Sequence, residues 1–290
     1  MLDKLLRRKQ SLIGQILIES GYINHEHLKD ALSYKKKKDC LLGEALIELG
    51  YITERDLKDA LQEQLSRSII PIKEKDLDSP EAAEFYRLQT NVKFALFADK
   101  PIKTLMITSS LPKEGKSMTI AYFALVMANV MSKKTLLVDA DMRHPSLDIQ
   151  FGFKADYGLT DLMVDSKTID ECIHKTEAEN LKILPCGTKP PNPAALIASQ
   201  KFKDLIEKLK ERFDLVLFDS SPIYPVADAS LLSANVDAAI LVIQAGSTRR
   251  GIVQRAVDML KESNVKILGV ILNQVEEELP KYIYKGYKGY

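Results

Sequence analysis

The chain reads as an α/β protein, a largely parallel sheet flanked by helices, preceded by a small all-helical repeat domain. Three observations predict this. An apolar strand runs into a short loop that closes on Gly115-Lys116-Ser117, and a helix-compatible run from Met118 to Val130 follows. Beyond it, apolar runs alternate with helix-periodic segments, the pattern of a sheet buried on both faces. Ahead of it, residues 12–32 repeat at 41–61, an offset of 29 positions.

The loop comes first because it carries chemistry. Thr104 to Ile107 is apolar, and Ser110-Leu111-Pro112-Lys113-Glu114 leads to the Gly-Lys-Ser end. Strand, loop and helix in that order are the context of a P-loop, whose backbone N–H groups point at phosphates. The expected nucleotide-binding stretch is therefore Glu114, Gly115, Lys116, Ser117 and Met118. Lys116 reaches the outer phosphates of ATP, Ser117 sits on Mg²⁺, and Gly115 lets the backbone come close. Ser110 stands where the full pattern has Gly.

Composition narrows the class. The 290 residues carry 41 Lys and Arg against 40 Asp and Glu, a formal charge of +1, so no nucleic-acid partner is expected. Cys40, Cys172 and Cys186 form no metal or redox motif, which favours a reducing compartment. No apolar run has the length of a membrane span, and the basic start, Met1 to Gln10, is not followed by a signal-peptide core. The expectation is a cytoplasmic protein that meets a membrane through a partner.

In the repeat, Leu12-Ile13-Gly14 to Tyr22-Ile23 is matched by Leu41-Leu42-Gly43 to Tyr51-Ile52. Each copy reads as a short helix, a Gly stop and a second helix. Asn24 and Thr53 are the expected N-caps, Thr53 with Asp56 as a capping box. Leu28, Ala31 and Leu32 form one apolar face, and Leu57, Ala60 and Leu61 the other. The lysine run 35–38 reads as a solvated linker between the copies, or else as a contact for an acidic lipid or nucleotide phosphate. Residues 10–65 resemble the N-terminal domain of type II secretion and type IV pilus assembly ATPases. Some members of that family bind cyclic di-GMP through tandem motifs that open Arg-Leu-Gly, which makes this dinucleotide a candidate ligand. Here Leu12 and Leu41 replace both arginines, and Lys35 replaces the closing Gln of the first copy. A docking or spacer role is the other reading. The domain boundaries expected are 1–65 for this unit, 66–80 for a linker, 81–275 for the nucleotide domain and 276–290 for a tail. Ile69 to Ile72 is read as extended, Asp76 to Pro80 as a turn, and a helix as starting at Pro80 or Glu81 and running to about Phe97.

In the nucleotide domain, strands are expected at 103–108, 135–139, 182–185, 214–219, 238–243 and 267–272. Helix-periodic segments are 118–130, 194–210, 228–234 and 249–262. Ligands of such sheets sit at the carboxyl ends of the strands. Two acidic motifs fall there: Asp139-Ala140-Asp141-Met142-Arg143, and Phe218-Asp219-Ser220-Ser221. Asp219 reads as the acid that holds Mg²⁺ or its water, with Ser117 and Asp139 as further metal candidates. Asp141 is placed to take a proton from an attacking hydroxyl. Arg143 is read as neutralising phosphate or the acidic pair. The expected catalytic set is Lys116, Asp139, Asp141, Asp219 and Arg143.

These residues carry a second resemblance. Residues 81–290 are similar to bacterial tyrosine autokinases of the polysaccharide-export class, in their separate cytoplasmic form. The matching stretches are Pro112 to Ser117, the Asp-x-Asp-x-Arg at Asp139, Asp141 and Arg143, the loop Gly187-Thr188-Lys189-Pro190-Pro191-Asn192-Pro193, and Gly269-Val270-Ile271-Leu272-Asn273. The resemblance implies an adenine contact at Asn273 and tail tyrosines, Tyr282, Tyr284, Tyr287 and Tyr290, that enter a neighbouring subunit's site and are phosphorylated. It further implies homo-oligomeric rings, a transmembrane chain-length regulator (co-polymerase) as activator, a phosphotyrosine phosphatase, and a role in exopolysaccharide or capsule synthesis and export. Departures are Lys113 for Gly, Ser221 for Pro and Ala195 for Glu. In the helix used for oligomerisation, Ala83, Tyr86 and Gln89 stand at the charged positions, with Glu84 and Arg87 one place away.

Residues 281–290 interleave the four tyrosines with Lys281, Lys285 and Lys288 and two glycines. Each phosphate would add about −1.5 to −2 charge and reverse this basic tail. Two alternatives stay open. One is a partitioning or cell-positioning ATPase, whose second lysine would stand five residues before Lys116, where this chain has Leu111. The other is a non-kinase, nucleotide-gated adaptor of a secretion or export complex.

Overall fold

The computed structural model describes residues 13–38, 40–57, 60–61, 72–79, 82–96, 101–164 and 166–275. The chain divides into two compact units, Met1–Ile70 and Pro71–Tyr290. The four tail tyrosines lie outside the described residues.

The first unit has helices α1 (13–19), α2 (His25–Lys38), α3 (Leu42–Glu48) and α4, helical at 54–57 and again at 60–61. The repeat makes each copy stop alike. Gly21 and Gly50 take the left-handed conformation at φ 74° and 72° that ends α1 and α3. Asn24 Oδ1 accepts the His27 N–H at 2.8 Å. The Thr53–Asp56 box closes in both directions, at 2.8 and 3.2 Å. Ile16, Leu17, Ala31, Ala45, Leu46 and Ala60 form the shared core. Leu32 and Leu61 do not join it; they are 42% and 44% exposed. Each sits 100° round the helix from its neighbouring buried Ala, on the rim of the apolar stripe. The lysine run is not a linker either. It is the last turn of α2, where cations suit the helix dipole, and Lys38 reaches Glu48 of the second copy at 3.2 Å.

The second unit opens with residues expected in a linker. Glu74–Asp78 is a 3₁₀ turn, and Ile72 and Leu77 are buried against the sheet's core, with the Ile72 N–H donating to Gln150 O at 2.7 Å. Then come α5 (Ala82–Leu96), β1 (Thr104–Ser109), α6 (Lys116–Val130), β2 (Thr135–Asp139), α7 (Leu147–Gln150), α8 (Leu159–Met163), α9 (Ile169–Cys172), β3 (His174–Lys175), β4 (Leu181–Leu184), α10 (Pro193–Ile197), α11 (Gln200–Arg212), β5 (Leu215–Asp219), α12 (Asp228–Ser233), β6 (Ala238–Gln244), α13 (Arg250–Glu262) and β7 (Lys266–Asn273). The seven-stranded sheet runs β3-β4-β2-β5-β1-β6-β7. Every pairing is parallel except β3 with β4.

The strands β1, β2 and β5 are buried along their whole length, which is why they read as unbroken apolar runs. α6 is apolar nearly all round and accordingly buried, against β1, β2 and β5. The segment expected as one helix over 194–210 is two, because Ser199 ends α10 and caps α11 by accepting the Phe202 N–H at 3.2 Å. Glu84 and Arg87 on α5 pair with each other at 3.2 Å, both well exposed. Among the described residues no helix is long and apolar enough to cross a membrane.

Candidate active site

The carboxyl ends of β1, β2 and β5 meet. Asp139 and Asp219 are register partners across β2 and β5, and Ile107 is the partner of Asp219 across β1 and β5. Between β1 and α6 the loop turns through Lys113 at φ 69° and Gly115 at φ 90°. A Cβ on Gly115 would lie 2.0 Å from Nδ2 of Asn273 and would have to displace that side chain, and the left-handed φ of 90° itself favours glycine.

Lys116 starts α6 and turns into the acids. Its ammonium lies 2.9 Å from Asp141 Oδ2 and 3.5 Å from Asp219 Oδ1, and it donates to Ser117 Oγ at 2.9 Å. Burial alone would lower the Lys116 value. Asp219 and Asp141 outweigh it and hold the ammonium more firmly charged than an ordinary lysine.

The three carboxylates differ in what they already hold. Asp139 Oδ2 accepts the N–H groups of Ser146 and Leu147 at 2.9 and 3.0 Å, which fixes the start of α7. Asp141 Oδ1 accepts the His144 N–H at 3.0 Å. Asp139 Oδ1 and Asp219 Oδ2 are buried with no partner. Burial, and then the charge of Asp219, push Asp139 well above the ordinary carboxylate range. Burial likewise raises Asp219, against the pull of Lys116 and Ser117. Two orphaned, buried carboxylate oxygens on neighbouring strand ends are what a hard divalent cation takes. Mg²⁺ draws on one or two carboxylates and completes its shell from phosphate oxygens and water. Ser117, Asp139 and Asp219 therefore fit the ion, which when bound would offset their charge.

Three of the expected side chains already hold protein partners. Arg143 does not turn to the acidic pair; its Nε and Nη2 fork onto Asp228 at 2.6 and 3.0 Å. Asp228 is 2% exposed at the start of α12 and holds that guanidinium above its ordinary value. Asn273 Nδ2 donates to Glu114 O at 2.9 Å, so it lies on the P-loop rather than away from it. The Glu114 side chain is buried and occupied by protein donors, leaving only its backbone for a ligand. Met118 is 42% exposed on the first turn of α6.

The Gly187–Pro193 loop is held by one carboxylate. Asp161 Oδ2 accepts the Gly158 and Thr188 N–H groups at 2.8 and 3.2 Å, and Oδ1 accepts the Thr188 hydroxyl at 3.1 Å. Asn192 then caps α10 by accepting the Ala195 N–H at 3.2 Å. Asp161, Asp228 and Thr248 were not singled out in the sequence. The only signal for the first two is an acid in the first turn of a short helix, which is also the mark of an ordinary dipole interaction.

Known proteins resemble this chain in sequence and in fold. The AAA domain family matches residues 112–268. Tyrosine-protein kinase YwqD of Bacillus subtilis is 36% identical over 228 residues, 78% of this chain and 93% of the relative. The crystal structure of the chimerical protein CapA2B2 superposes with a TM-score of 0.66 at 30% identity, covering 72% of this chain and 93% of that one. The cell division ATPase MinD of Pyrococcus furiosus, 24% identical with a TM-score of 0.51, shares the fold alone. Relatives this similar, matched over almost their full length, give one assignment: the chain belongs to the bacterial tyrosine-protein kinases and is an ATP-dependent enzyme of that class.

Proposed function

We propose that the second unit binds Mg-ATP on the loop from Glu114 to Met118 and transfers its γ-phosphate to Tyr282, Tyr284, Tyr287 and Tyr290 of a neighbouring copy. The observation that carries this is Lys116, charged and buried among Asp139, Asp141 and Asp219, beside two carboxylate oxygens without partners. Lys116 and the loop N–H groups hold the phosphates, and Ser117, Asp139 and Asp219 hold Mg²⁺. Phosphate oxygens compete with Asp141 for the Lys116 ammonium, which frees Asp141 to take the proton of the attacking tyrosine. The phenolic oxygen bonds to the γ-phosphorus, the bond to the β-phosphate oxygen breaks, and ADP leaves. Arg143, braced by Asp228, sets the position of the segment that carries Asp139 and Asp141. Asn273 steadies the loop through Glu114 O, and an adenine contact from it or its neighbourhood is what the family resemblance implies.

The basic tail turns acidic on phosphorylation, which supports release of an assembled homo-oligomer by charge repulsion, with a phosphotyrosine phosphatase to reset it. A transmembrane chain-length regulator would activate the kinase and hold it at the inner membrane, in control of exopolysaccharide or capsule synthesis. For the first unit we keep a docking role like that of the secretion and pilus ATPase domain it resembles. Titration with cyclic di-GMP tests the other reading, against which the missing arginines weigh.

The deciding experiment is peptide mass spectrometry of the purified chain incubated with Mg-ATP, with and without an activating membrane-protein segment, beside a Lys116→Met control. Phosphate on the tail tyrosines, absent in the control, is expected. ATP binding without any phosphotyrosine, even with activator, would leave the nucleotide-gated adaptor as the better reading.

A further inference from the structure

Glu114 stands between two left-handed residues, Lys113 and Gly115. Glycine adopts that conformation freely, but in Lys113 the Cβ crowds the next carbonyl, and such strain persists only where the surroundings over-determine it. Here the surroundings are the Glu114 side chain, which the fold buries to 2% exposure. Its Oε2 accepts the Leu111 N–H at 2.8 Å, closing the loop on itself. Its Oε1 accepts the Thr248 hydroxyl in a short hydrogen bond and lies 3.5 Å from the Gln244 N–H. All three donors are neutral, so the buried carboxyl group depends on few bonds, and the Thr248 hydroxyl is the one side-chain donor among them.

Thr248 comes from a different part of the chain. It ends the turn after β6, where its own N–H donates to Gln244 O at 3.2 Å, and it immediately precedes the capping residue of α13. Its hydroxyl therefore joins the β6–α13 turn to the one loop residue that keeps Lys113 and Gly115 in their curvature. No hydrogen bond from it reaches Lys116 or the acidic cluster. We propose that Thr248 is a positioning residue for the nucleotide: through Glu114 it holds the P-loop in the shape that aims its N–H groups at the phosphates. This rests on the P-loop being the ATP site. Without the hydroxyl, Oε1 keeps only the distant Gln244 N–H, the carboxylate swings toward water, and Lys113 relaxes. Affinity for nucleotide then falls, whereas the reacting groups of a nucleotide already bound keep their places.

The test is calorimetric binding of Mg-ATP and Mg-ADP to the full chain, with steady-state tail phosphorylation alongside. Thr248→Val removes the hydroxyl at constant shape and is expected to weaken both nucleotides about tenfold, the scale of one charge-assisted hydrogen bond. Turnover at saturating ATP should stay within about threefold, and Thr248→Ser should bind within about twofold of the parent. In a double-mutant cycle with Glu114→Gln, the second substitution should add little to the first. Valine binding like the parent, serine as weak as valine, or losses that simply multiply would each overturn the proposal. Should the valine chain not fold, Glu114→Gln alone decides: unchanged affinity overturns it, and about a tenfold loss supports it. A parent chain that binds no Mg-ATP would instead strike at the P-loop reading, so the two failures look different.

Discussion

Asp139 does different work with its two oxygens. Oδ2 starts α7, and Oδ1 stays buried and open. A carboxyl whose folded value is raised keeps a proton that the unfolded chain gives up, so the folded state binds more protons. Its contribution is most favourable below the ordinary value of 3.8 and is lost as pH rises toward about 8. Lys116, raised rather than lowered, stays charged throughout that window and does not change the sign. The melting temperature of the nucleotide-free chain should therefore fall between about pH 5 and pH 8, and Mg-ATP should bind more tightly over the same range as Mg²⁺ takes the proton's place. Asp139→Asn, which keeps the oxygen facing α7, should flatten the slope in thermal melts; an unchanged slope would assign the proton elsewhere. Lys113 offers a second test. Its left-handed φ costs about 1–2 kcal/mol, and glycine's extra freedom in the unfolded chain about 0.5–1 kcal/mol. Lys113→Gly should thus gain between about 0 and 1.5 kcal/mol, a rise of at most roughly 3–6 °C at this size; a fall would mean the lysine side chain holds a contact of its own. At this scale the sequence named Lys116, Ser117, Asp139, Asp141 and Asp219 through spacing alone. It misplaced Arg143, because a bidentate bond to a residue 85 positions away leaves no local pattern.

Elements were legible in proportion to their length. The parallel strands and α6, α11 and α13 follow from apolar periodicity, which needs a turn or two of helix to register. α7, α8 and α9 have four or five residues and β3 has two, too few for any period, and all went unread. Their places are set by single polar anchors. Asp161 is the plainest: from within α8 it holds the loop after β4 by two hydrogen bonds from Thr188, and it closes its own helix start through the Gly158 N–H. Asp161→Ala removes the acceptor of the buried Gly158 N–H and of both Thr188 donors and should cost roughly 1–3 kcal/mol, with the loss seen in chemical denaturation and faster hydrogen exchange over 187–192. Asp161→Asn, which retains an acceptor, should lose less; equal losses would point to charge rather than hydrogen bonding.

The molecule comprises two units with separate cores: among the described residues, ten buried apolar side chains in the first and two larger clusters on the two faces of the sheet in the second. Separate cores imply separate cooperativity. Heating or urea should give two transitions, and saturating Mg-ATP should raise only the one that belongs to the second unit. A single transition shifted as a whole would show that the units unfold together. The sequence alone determined the α/β class, the helical repeat and which residues stand at the strand ends. These depend on patterns that survive in one dimension: the period of apolar residues, a glycine where the backbone turns left-handed, acids at strand ends. Only the tertiary structure decided which partner each polar group took. It put Arg143 on Asp228, Asn273 on the P-loop and Thr248 on Glu114, and it drew Ile72 and Leu77 into the core. Such choices depend on which groups are buried side by side, and a buried donor or acceptor must take a partner from whatever the fold brings within about 3 Å.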